Sequence, residues 1–174
     1  MKNVWVGEGL AYWQVPRCAG TSCAQWLEGV GFVPVDDGTD FGESVEHFTV
    51  LRDPFDRYVS CLSLVWSQQR DVSWVDFLND VNEFNLEGLG VYDNGGNPHF
   101  LPQVRFLQRM PSASLFRISE LGYLGNWLRQ KGLDMPPAPH ARQGSDVRIE
   151  FANEILAREP IVLEYEVDYH ALET

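Results

Sequence analysis

The sequence predicts an α/β fold: a parallel sheet covered on both faces by helices. Three observations carry this. Apolar, β-branched runs alternate with amphipathic stretches along most of the chain. Two of those runs, ending at Val15 and Leu51, each pass through an arginine-bearing turn into a helical pattern. The length, 174 residues, suits one domain with a sizeable core, read here as 1–174.

The elements follow in order. Leu10–Val15 is the first strand, since Tyr12, Trp13 and Val15 suit burial and Pro16 ends the run. Gly20–Glu28 is a helix with Thr21 or Ser22 near its cap and Trp26 and Leu27 on its inner face. Gly29 and Gly31 stop it. Phe32–Val35 is a short second strand, and Asp36–Ser44 an acidic loop. His47–Arg52 is the third strand, and Pro54 opens a helix reaching Gln69. Ser73 caps a helix over Trp74–Val81, where Trp74, Phe77, Leu78 and Val81 recur at helical spacing. Asn82–Pro98 is a loop whose strongest turn signal is Asp93-Asn94-Gly95-Gly96. Ser114–Ile118 is a fourth strand, and Glu120–Gln130 a helix ended by Gly132. Met135–Gly144, with three prolines, is extended. Val147–Arg158 reads as a helix, and Ile161–Leu172 fits either strand or helix.

Composition excludes several function classes. The formal charge of −12 argues against nucleic acid as the main partner and against docking on an anionic membrane. No run of about 18 apolar residues exists to span a bilayer, and no signal core opens the chain. Cys18, Cys23 and Cys61 make an odd count without framework spacing, which reads as reduced intracellular thiols. The four histidines are scattered, so no metal site is expected. Together these point to a soluble, cytoplasmic protein. Arg outnumbers Lys eleven to two, a bias compatible with forked contacts to phosphate and equally with genomic base composition.

The two arginine-bearing turns carry the chemistry. VPRCAGTS at Val15–Ser22 supplies a cation, a small Ala19-Gly20 turn and two hydroxyls ahead of a helix. A helix N-terminus has unused N–H groups and the positive end of the dipole, so it is a ready anion site. An ordinary Ser/Thr helix cap is the plainer alternative. VLRDPFDRYVS at Val50–Ser60 places Arg52 at a strand end and Ser60 two turns into the next helix. In open α/β sheets ligands sit at the carboxyl ends of strands, where Arg17 and Arg52 both fall. Two such turns suggest one ligand with phosphate at both ends. The pattern GxxxxGK[ST] is absent, which counts against an ordinary ATP-dependent kinase.

These residues resemble the sulfotransferases that use 3′-phosphoadenosine 5′-phosphosulfate (PAPS). VPRCAGTS resembles the family's 5′-phosphosulfate loop, PKxxGTS, and VLRDPFDRYVS its 3′-phosphate motif, RDPxxRxxS. PHFLPQVRFL at Pro98–Leu107, LFRISELGYLGNWL at Leu115–Leu128 and IVLEYEVDYHAL at Ile161–Leu172 resemble stretches of the carbohydrate branch. The resemblance implies a P-loop-like three-layer α/β/α fold with a short central parallel sheet. It implies sulfuryl transfer from PAPS to a hydroxyl acceptor, a carbohydrate by the late motifs, with no metal needed; the short chain, without the membrane anchor typical of the eukaryotic carbohydrate branch, fits a bacterial or viral enzyme better. Ala19, Gly20, Thr21 and Ser22 would cradle the 5′-phosphate, Arg52 and Ser60 would hold the 3′-phosphate, and Arg142 would reach that phosphate or the adenine.

Arg17 stands where the family has Lys. It can neutralise charge on the departing phosphate but cannot donate a proton. His99 is the first choice for the base that removes the acceptor's proton, with a helix-capping role as the alternative. Asp36, Asp37 and Asp40 are the other candidates. Gln103 would orient the acceptor or lie on the surface, and Glu120 would cap its helix. Arg57 sits one turn from Asp53, at ion-pair spacing. His47 lies at the far end of a strand from Arg52. Two rivals stay open: an ATP-dependent small-molecule kinase, and a nucleotide-binding module without catalysis.

Overall fold

A computed structural model describes residues 3–68, 73, 103–110 and 112–139. Two compact units divide the chain: Met1–Arg52 with Phe106–Gln143, and Asp53–Arg105 with Gly144–Thr174. The expected elements at Trp74–Val81, Val147–Arg158 and Ile161–Leu172, and the loop at Asn82–Pro98, lie outside the described residues.

The first unit is built on a five-stranded sheet. Its strands are β1 (Val4–Gly7), β2 (Leu10–Trp13), β3 (Val33–Val35), β4 (Glu46–Leu51) and β5 (Ala113–Arg117), in the order β3-β1-β2-β4-β5. β2, β4 and β5 pair in parallel, whereas β1 pairs antiparallel with both β2 and β3. The sheet is therefore mixed, where a wholly parallel one was expected. The cause is the turn between Gly7 and Leu10. Glu8 (φ 49°) and Gly9 (φ 75°) both take positive φ, as in the two-residue hairpins that match strand twist. Two residues cannot make a parallel crossover, which needs a dozen or more.

Side-chain alternation divides the sheet's two faces. Trp5, Leu10, Tyr12, Phe48, Val50 and Phe116 share a buried cluster with Cys23, Ala24, Trp26 and Leu27 of α1 (Gly20–Glu28). Leu121, Leu124 and Leu128 of a later helix, Leu121–Gln130, join them. Phe48 sits at the centre, its ring 5.4 Å from Tyr12 and 5.4 Å from Trp127. Burying a side chain of this size is worth about 1.5–3 kcal/mol. The two helices approach closely: a Cβ on Gly125 would lie 3.3 Å from the Trp26 ring. Beyond the second helix, Arg129 donates to the Met135 carbonyl at 2.9 Å and Trp26 Nε1 to the Pro136 carbonyl at 3.2 Å, fixing the following loop.

On the opposite face Val4, Ala11 and Trp13 pack with Val6, Val35, Phe41, Val45 and Met110. Trp13 Nε1 donates to His47 Nδ1 at 2.9 Å, and the Phe41 ring stands edge-on to both rings.

The second unit contributes α2 (Pro54–Gln68), whose Tyr58, Val59, Cys61 and Leu62 are buried. Asp53 caps it, its carboxylate accepting the Asp56 N–H at 3.0 Å. Asp53 thus serves the cap that its position before Pro54 suggests. α3 is the short helix Gln103–Leu107, which the sequence reading did not separate from the preceding motif, and α4 is Leu121–Gln130. A 3₁₀ turn, Ile118–Glu120, leads into α4, and Glu120 accepts the Arg117 N–H at 2.8 Å. Glu120 therefore caps the 3₁₀ turn, not α4 as expected: it stands at the α4 N-cap position without a side-chain cap bond, because its carboxylate turns back to Arg117. Among the described residues no helix is long and apolar enough to cross a membrane.

The Trp13–His47 bond makes a pH prediction. Burial lowers the His47 pKa below its usual 6.5, and Nδ1 can accept only while unprotonated. The folded state then binds fewer protons than the unfolded one as pH falls through about 6.5. His47's contribution is complete above that pH and is lost below it. Between pH 7 and 5.5 the melting temperature of the wild type should fall more steeply than that of His47→Gln. Parallel curves would refute the assignment.

Candidate functional site

The parallel pairing of β2 with β4 assembles the site. Trp13 stands opposite Thr49, and Thr49 Oγ1 donates to the Trp13 carbonyl at 2.6 Å. From that row the chain reaches Arg17 four residues after Trp13, and Arg52 three residues after Thr49. Both arginines therefore leave the carboxyl edge of neighbouring strands, about 4.8 Å apart in a sheet. β3 runs in the same direction two positions away, so Asp36 follows it at this edge. Asp36, Asp37 and Asp40 are all exposed there. The Asp40 carboxylate accepts the Gly42 N–H at 3.0 Å, which ties it to its own loop.

The turn out of β2 has an unusual backbone. Arg17 (φ 67°) and Ala19 (φ 59°, ψ 20°) are left-handed, whereas Cys18 between them is not among the positive-φ residues. Gly20 then begins α1. Left-handed backbone costs a residue with a Cβ about 1–2 kcal/mol, so two such residues within three positions are held against a real cost. The Cys18 N–H donates to the Val15 carbonyl at 3.3 Å, closing the turn around Pro16 and Arg17, so the concavity such a turn could offer an anion is formed by the N–H groups from Ala19 onward. α1 extends it: its first intrahelical bond at this end runs from Cys23 N–H to the Ala19 carbonyl, 2.9 Å. Helix geometry leaves the earlier N–H groups without intrahelical acceptors. Thr21 is exposed and Ser22 half-buried.

The glycine of the loop serves a different purpose from the one its type suggests. Gly20 is not among the positive-φ glycines. A Cβ on it would instead overlap Gln14 Nε2 and lie 2.6 Å from Gln14 Cδ. Nothing in the sequence pattern singled out Gln14, because this contact is tertiary. Beneath the loop lie Tyr12, Cys18 and Cys23, all fully buried. Burial pushes the Cys23 thiol up to about 11 and raises the Tyr12 phenol well above its usual value, with the two thiols adding to the effect on Tyr12. Cys18 is thus a buried filler beside the turn, and neither Tyr12 nor Cys23 carries charge at neutral pH.

Ser60 is buried in α2, in the second unit, as is Arg57. Gln103 is buried at the start of α3. His47 lies at the opposite end of β4 from Arg52, inside the Trp13–Phe41 cluster, as its position predicted. His99 and Arg142 lie outside the described residues. Among the described residues no group of His, Cys, Asp and Glu is arranged to hold a metal ion.

The left-handed backbone can be tested directly. Ala19→Gly removes a Cβ penalty and should leave stability to urea unchanged or raised by up to ~1 kcal/mol, the glycine entropy offsetting part of the gain. Ala19→Val should lower it by about 1–2 kcal/mol, since β-branched residues tolerate this region worst. Equal stability of the two variants would refute the assigned conformation. No protein-family model, curated protein or solved structure matches this chain.

Proposed function

We propose that this chain is a sulfotransferase that binds PAPS at the carboxyl edge of β2 and β4 and moves its sulfuryl group to a hydroxyl acceptor. One observation carries the reading. A turn with two left-handed residues, bearing Arg17 and opening α1, follows the strand next to the one that leads into Arg52. Two cationic exits on adjacent parallel strands suit a nucleotide charged at both its 5′ and 3′ positions. The likeness of both turns to the family's two phosphate motifs supplies the identity of that nucleotide.

The roles follow from chemistry. Backbone N–H groups of residues 19–22 and the hydroxyls of Thr21 and Ser22 would bind the 5′-phosphosulfate. Arg52 would bind the 3′-phosphate through its forked donors. In the transfer the acceptor oxygen forms a bond to sulfur as the bond from sulfur to the phosphate oxygen breaks. The acceptor's proton passes to a base, and His99 is the residue proposed for it. Arg17 would oppose charge gathering on the departing phosphate. Fixed cations and oriented N–H groups act most strongly where charge develops during reaction, and alignment of acceptor and donor supplies much of the rest. A carbohydrate acceptor rests on the motif likeness near Pro98–Leu107.

Calorimetry separates this reading from its rivals. The protein should prefer 3′-phosphoadenosine 5′-phosphate over 5′-AMP, and Arg52→Ala should reduce the preference by roughly 10–100-fold, the worth of one charge-assisted contact. A kinase would instead favour ATP with Mg²⁺. Equal affinity for the two adenylates would remove the basis of the proposal. His99→Ala should leave nucleotide affinity intact and abolish sulfuryl transfer; unchanged turnover would discard His99 as the base.

A further inference from the structure

We infer that Gln14 is a positioning residue for the anion loop. Its uncharged carboxamide occupies the space beside Gly20 that any Cβ would take. The inference rests on reading residues 17–22 as an anion site.

The argument begins with what Gly20 is for. Glycine in a tight turn is ordinarily explained by positive φ. Here positive φ falls on Arg17 and Ala19, and Gly20 takes no such conformation. Alanine would satisfy the backbone at position 20 and is the better helix former. What opposes it is the Gln14 side chain, whose Cγ would stand 2.5 Å from the new Cβ, so that either Gln14 or the helix start would have to shift. Gln14 and Gly20 are thus a complementary pair, one supplying volume and the other leaving it.

Gln14 is itself held at the sheet edge, its N–H donating to the Asn3 carbonyl at 2.8 Å. It stands one residue past the end of β2, and Gly20 is the first residue of α1. The carboxamide therefore braces the helix start against the strand from which the loop departs. An amide also suits this place by charge. It packs against the first residue of a helix whose N–H groups would face an anion, where a carboxylate would repel the ligand. The same length and shape with a negative charge should preserve the brace and spoil the site.

The test uses isothermal titration with pyrophosphate and with 3′-phosphoadenosine 5′-phosphate, alongside thermal melts of each variant. Gln14→Glu keeps the shape, so it should melt close to the wild type yet bind pyrophosphate at least about tenfold more weakly. Gln14→Met, uncharged and similar in length, should bind within about threefold of the wild type. Gly20→Ala should lose at least about tenfold in affinity, and adding Gln14→Ala should restore most of it by vacating the contested space. That rescue is the signature of a positional pair, since two independent structural defects would add. Wild-type affinity in Gln14→Glu, or no rescue in the double variant, would overturn the inference. Wild-type protein that binds pyrophosphate without preferring the 3′-phosphorylated nucleotide would remove only the PAPS assignment. Wild-type protein that binds neither would overturn both.

Discussion

The parallel register between β2 and β4 is the constraint on which the site depends. Parallel neighbours deliver both chain exits to one edge, so the turns after Trp13 and Leu51 open side by side. An antiparallel pairing of the same strands would send them to opposite edges. The register is held by backbone ladder bonds and by a buried side-chain bond, Thr49 Oγ1 to the Trp13 carbonyl. It is also held by the alternation of faces. A slip of one residue would turn Phe48 away from Tyr12 and expose the aromatic cluster that unites the sheet with α1 and α4. The packing that stabilises the first unit is therefore the same packing that sets the arginines on one edge.

β1 performs a supporting task. By closing the open side of β2 through a two-residue hairpin it makes β2 an interior strand. The loop leaving β2 is then anchored on both flanks, through Asn3 on one side and Thr49 on the other. A strained turn persists only where its surroundings over-determine it. The two left-handed residues at Arg17 and Ala19 meet that condition, with the buried Tyr12, Cys18 and Cys23 filling the space below.

Much of this was legible in the sequence, and the reasons for the exceptions are specific. The helix Gly20–Glu28 has the bounds that its glycine stops and inner-face apolar residues imply. β4 and β5 each begin one residue before their expected positions, within the ordinary uncertainty of a strand end. β1 escaped because Glu8-Gly9 is a weaker hairpin signal than Asn-Gly or Asp-Gly, although Val4–Gly7 is apolar enough for a strand. The turn Val15–Ser22 stood out as a motif, but its geometry was not legible. Sequence rules assign left-handed backbone to glycine, whereas here Arg17 and Ala19 bear it and Gly20 makes room for a side chain six positions earlier. Residue type alone cannot reveal such a contact.

The buried thiol under the loop has a practical consequence. Cys23 is enclosed between β2 and α1, with a pKa near 11, so at neutral pH it is both protonated and shielded. Alkylating reagents need the thiolate and physical access, and the closed state offers neither. Modification at this cysteine can proceed only while α1 is lifted from the sheet. Its labelling rate is thus a built-in clock for how often the foundation of the loop comes apart, readable without adding any probe to the chain.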